Sequence, residues 1–122
     1  NAAALGELVV LVNKALQQGN SPFTAAWPDV REMMQQRVGA LLALPKEKAN
    51  YADAGAYALL QLAALVLHCW NGHTLFTAAS EAIPAQLRLR AALTLFAGSV
   101  TAKAALWATR SALEIPAFTL TK

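Results

Sequence analysis

Hydrophobic positions in this chain recur at helical spacing over almost its whole length; strand-favouring residues gather only at Val9–Val12 and in the last eight positions. Leu5, Leu8, Val9, Val12, Ala15 and Leu16 share one face of a helix expected from about Ala3 to Gln18, with Glu7, Lys14, Gln17 and Gln18 pointing away. Gly19 suits the left-handed residue that closes a helix, and Ser21-Pro22 suits an N-cap followed by proline at the first helical position. Trp27 precedes Pro28, which disfavours helical backbone angles at Trp27, so a break is expected there. A second long helix then runs from Pro28 to about Leu44 and buries Val30, Met34, Val38, Leu41 and Leu42.

The stretch from Asn50 to Trp70 is apolar over nearly its whole circumference, which predicts a buried central helix over about 50–71. Asn71-Gly72-His73 reads as its stop, and Thr74 as the cap of a short helix reaching about Ala82. Ile83-Pro84 opens a last helical region, 85–114, with Gly98-Ser99 as a kink or break. Pro116 should end it and leave a short extended C-terminal tail. The expectation is an all-α, compact bundle of five to six helices around the central one, forming a single domain over 1–122. Asn1-Ala2 resembles the scar of a tag cleavage, so the domain is expected to come from a longer protein.

Composition sharpens this picture. Hydrophobic residues are 57% and charged residues 14% of the chain, and alanine, the best helix former, is nearly a quarter of it. So charge-poor a surface predicts that a second copy, or another domain of the same protein, covers part of it. The net charge of +3 is spread along the chain, with no dense stripe of the kind that tracks phosphates, so no nucleic-acid surface is expected. The lone cysteine, Cys69, cannot form an internal disulfide and fits a reducing, cytoplasmic setting. Ala54 to Trp70 is at the short limit for spanning a bilayer and carries Gln61 mid-segment, so it reads as core rather than as a membrane span.

Polar residues on so apolar a helix need partners. Tyr57, Gln61 and His68 fall on one side of the central helix, and Arg37 intrudes on the buried stripe of the second. These four are the candidate ligand-binding residues, and Asp53 and Glu81 the candidate partners of Arg37 if it is buried. His68, Cys69 and His73 are metal-ligand types, but adjacent helical positions diverge by about 100° and no fourth ligand lies near. No metal, cofactor or catalytic set is therefore assigned. The serines occur in capping or helical contexts, and the six glycines form no phosphate loop.

Two stretches resemble known families. Glu47 to Asp53, leading into A-D-A-G-A-Y-A-L-L, resembles the acidic helix of MazG-like nucleotide pyrophosphohydrolases, which are all-α, dimeric and hold magnesium with acids on two helices. Asn50 stands where an acid is wanted, and the preceding helix offers only Glu32. Residues 105–120 resemble the turn of a helix-turn-helix, with Glu114 where glycine is usual.

The residues thus point first to a non-catalytic helical association domain, self-associating. The alternatives are a small-molecule sensor or carrier with an apolar pocket lined by Arg37, Tyr57, Gln61 and His68, and an enzyme or metal site using His68, His73 and acids.

Overall fold

The computed structural model describes residues 2–43 and 56–120, with side chains described over 3–43 and 56–112. Among them it is all-helical: α1 is Ala2–Leu16, α2 Pro22–Leu42, α3 Ala56–Ala78 and α4 Pro84–Leu120. Four helices thus stand where five to six were expected, because three anticipated breaks are absent. α2 and α3 pack on each other, and α1 and α4 each lie against both.

The α1–α2 turn follows its local signals. Gly19 has φ +84°, the left-handed angle that closes α1. Ser21 caps α2 reciprocally, its Oγ accepting from Phe23 N at 3.2 Å while its own N–H donates to Thr24 Oγ1 at 3.2 Å.

The first missing break is at Pro28, which lies inside α2. An interior proline costs about 3 kcal/mol through its lost N–H and ring clash. Phe23, Ala26 and Trp27 before it, and Val30 and Met34 after it, are all buried in one core, and that shared burial holds both segments on one axis. Full burial of a side chain such as Phe23 or Met34 contributes about 1.5–3 kcal/mol each. Trp27 is fixed further by its indole N–H, which donates to Asn13 Oδ1 of α1 at 2.9 Å; Arg31 Nη1 donates to the same oxygen at 2.9 Å.

The second is at Gly72, which stops nothing. α3 runs through it to Ala78, so Thr74 and Thr77 sit inside the helix and donate back to the Trp70 and His73 carbonyls. The glycine is there for space: a Cβ would meet Phe23 Cε2 at 2.6 Å and Cζ closer still. Phe23 also meets Phe96 of α4 edge-on, with centroids 6.1 Å apart, so one ring joins three helices.

The third is at Gly98-Ser99, where α4 is continuous; it also passes Pro116, so helix takes the place of the expected extended tail. Residues 44–55 lie outside the described region, and with them Asn50, Asp53 and the acidic stretch from Glu47.

A short connection, 79–83, returns α3 to α4, and Arg90 ties it. Its guanidinium donates to the carbonyls of Phe76 and Ala79 at 3.0 and 3.2 Å, pairs with Glu81 at 3.0 Å, and lies 3.9 Å from the Phe76 ring centroid. A cation there satisfies carbonyls that the end of α3 leaves without helical partners.

Candidate functional site

The two faces of α3 differ. On the inner face, Leu62, Val66, Cys69, Gly72 and His73 are enclosed. Burial in apolar surroundings pushes the Cys69 thiol up to about 12, which keeps it protonated and unreactive near neutrality. His73, only 2% exposed, bridges two loop groups across 52 and 55 residues of sequence: Nδ1 lies 2.7 Å from Ser21 Oγ, and Nε2 lies 2.7 Å from the Gln18 carbonyl. A carbonyl only accepts, so the partners assign the hydrogen to Nε2. With Nδ1 accepting, the Ser21 hydroxyl donates to it while accepting the Phe23 N–H.

A serine within reach of an imidazole is the first requirement of a nucleophile–base pair. Here both ring nitrogens and the hydroxyl are committed to the α1–α2 turn, and neither Ser21 nor His73 lines either described cleft. The arrangement locks the turn onto α3. Sequence spacing gave no hint of it, since the partners meet only through the tertiary fold.

The outer face of α3 carries Tyr57, Leu60, Leu67, His68 and Leu75, all exposed. A helix apolar all round is therefore only half enclosed within this chain. Of the four candidate ligand residues, Tyr57 meets Trp107 edge-on at 5.8 Å and His68 meets Phe96 edge-on at 5.6 Å, both along the α3–α4 seam. Gln61 is half-buried on α3. Arg37 is half-buried on α2 and donates from Nε to Ser111 Oγ of α4 at 3.3 Å; of its two expected partners, Asp53 lies outside the described residues. Glu81 pairs instead with Arg90.

Among the described residues, two clefts beside α4 stand out. One of about 170 Å³ is lined by His68, Asn71, Gly72, Leu75, Leu93 and Phe96. The other, about 400 Å³, lies between Pro22, Ala25 and Ala26 of α2 and Thr94, Ala97, Gly98 and Thr101 of α4. Arg37, Tyr57 and Gln61 line neither. Among the described residues, no three of His, Cys, Asp and Glu are grouped as a metal site would need.

α4 has the barest outer surface. Leu95 is 80% exposed, and Leu106 is exposed one face-repeat further along. Among the described residues it is also the one helix long and apolar enough, by length and composition alone, to cross a membrane, with mean hydropathy 1.3 over its richest window and 17% of that window buried. Set beside known proteins, the chain matches no family, no curated protein and no solved structure.

Proposed function

We propose that this chain is a non-catalytic helical association domain that works by laying the outer face of α3 and α4 against another surface. In water that surface is a second copy of the chain or another segment of the same protein. One observation carries the reading: Leu60, Leu67, Leu95 and Leu106 stand exposed on two helices that pack side by side. Leucines grouped in this way mark interaction surfaces, whereas scattered ones do not.

Sedimentation of the purified chain over a wide concentration range tests it. The mass should rise towards that of a dimer, and Leu95→Glu should return it to a monomer. A wild-type chain that stays monomeric at high concentration removes self-association.

A small-molecule carrier is the second reading, favoured by His68 standing at the edge of an otherwise mostly apolar cleft. A ligand there should raise the melting temperature of the wild-type chain and not of Leu93→Trp, which fills the cleft. A cytoplasmic setting, expected from the lone thiol, belongs to the same proposal.

A further inference from the structure

Charge is unevenly spread over the helices of this chain. Residues 56–78 of α3 carry no Asp, Glu, Lys or Arg, whereas α4 carries Arg88, Arg90, Lys103 and Arg110 against a single acid in its sequence, Glu114, one turn after Arg110. The other described acids lie elsewhere: Glu7 on α1, Asp29 and Glu32 on α2, and Glu81 in the connection, already paired with Arg90.

The cations are also placed relative to the exposed leucines. At about 100° per residue, Arg88, Lys103 and Arg110 fall within an arc of about 80° that also holds Leu95 and Leu106. All five are exposed. On α3, Tyr57, Leu60, Leu67 and Leu75 occupy a similar arc. The Tyr57–Trp107 and His68–Phe96 contacts lie between the two arcs, and Lys103 Nζ sits 5.0 Å from the Phe96 centroid on the α4 side of that seam. The leucines and cations therefore form one continuous face.

We infer that this face binds the surface of an anionic lipid bilayer, with α3 and α4 lying in the headgroup boundary. The inference rests on the reading of the α3–α4 face as a docking surface and names its occupant. Apolar side chains enter the acyl boundary while flanking Lys and Arg side chains reach the headgroups, the chemistry of an interfacial helix. A second copy meets this face with the same sign of charge, whereas an anionic membrane complements it. Lying flat also suits α4 better than crossing. Between Arg88 and Arg110, a spanning helix would hold Lys103 within the apolar interior, where charge is expensive.

Salt separates the two occupants, because screening weakens attraction to anionic lipid and relieves repulsion between like faces. The full chain is sedimented with vesicles of phosphatidylcholine alone or with 30% phosphatidylserine (roughly the anionic content of a cytoplasmic leaflet), at low and at high salt. Binding is expected to the anionic vesicles at low salt and to be lost at high salt. Removing a surface cation costs about fivefold in affinity, so Arg88→Gln with Lys103→Gln should weaken binding roughly thirtyfold. Leu95→Glu should abolish it, with circular dichroism confirming that both variants fold. No binding at low salt, or equal binding to both vesicle types, overturns the inference. If the chain ignores vesicles yet dimerises more tightly at high salt, the lipid assignment falls and the association reading stands. A chain that neither dimerises nor binds vesicles removes both.

Discussion

α3 presents leucines to both its sides, yet the two sides do different things. The inner side is organised by shape and hydrogen bonds: Gly72 leaves room for the Phe23 ring, and His73 reaches Ser21 and Gln18. The outer side has leucines at similar density that stand exposed, with Tyr57 and His68 touching α4 only along the seam. The leucines alone do not distinguish the enclosed side. Specific steric and polar fits did, and they distinguish a surface committed to the fold from one left for something else.

Substitutions should reproduce that contrast. The largest effect is expected at His73→Ala, which leaves the Gln18 carbonyl and the Ser21 hydroxyl without their partner and opens a cavity. The expected loss is about 2–5 kcal/mol in denaturant unfolding. His73→Gln, which keeps a donor and an acceptor, should recover part of it, and equal losses for the two would show that packing alone matters.

Cys69 tests the inner side by pH. Its thiol is raised from 9.0 to about 12 in the fold, so the folded state favours the protonated form. The resulting stability is complete below the unfolded value and declines as pH climbs from 9.0 towards about 12, at about 1.4 kcal/mol per pH unit. Cys69→Ala should flatten the stability profile over that interval, and an unchanged slope would show that other groups set it.

The smallest effect is expected on the outer side. Leu67→Gln should shift stability by no more than about 0.5 kcal/mol in dilute solution. A loss of 2 kcal/mol or more would mean that Leu67 is enclosed after all, by a second copy already present under those conditions.

Local signals in the sequence were read well where they act alone. Gly19, Ser21 and Pro22 define the α1–α2 turn through backbone angle and capping, and the structure has that turn. The same residue types misled inside longer elements. Pro28, Gly72 and Gly98 look like punctuation, because proline and glycine weaken a helix by known amounts, but those amounts are smaller than the burial on either side. Gly72 has its reason fifty residues away, in Phe23. The candidate site was legible only in part: Tyr57 and His68 do lie along one seam, while Arg37 found a hydroxyl on α4 that no spacing could have indicated. Asn13, which receives both Trp27 and Arg31, passed unnoticed because a lone amide on an apolar helix carries no periodic signature.

Pro28 has one more consequence. Without its N–H, the Thr24 carbonyl lacks the donor that the helical ladder would supply four residues on. One rung of the ladder is therefore missing between the first turns of α2 and the remainder, while the Ser21 cap, the Trp27–Asn13 bond and the Phe23 ring fasten those turns to α1, α3 and α4. In mechanical terms α2 is one rod with a notch at Pro28. A load applied along its C-terminal half would be felt first at that notch, before it reached the knot around His73.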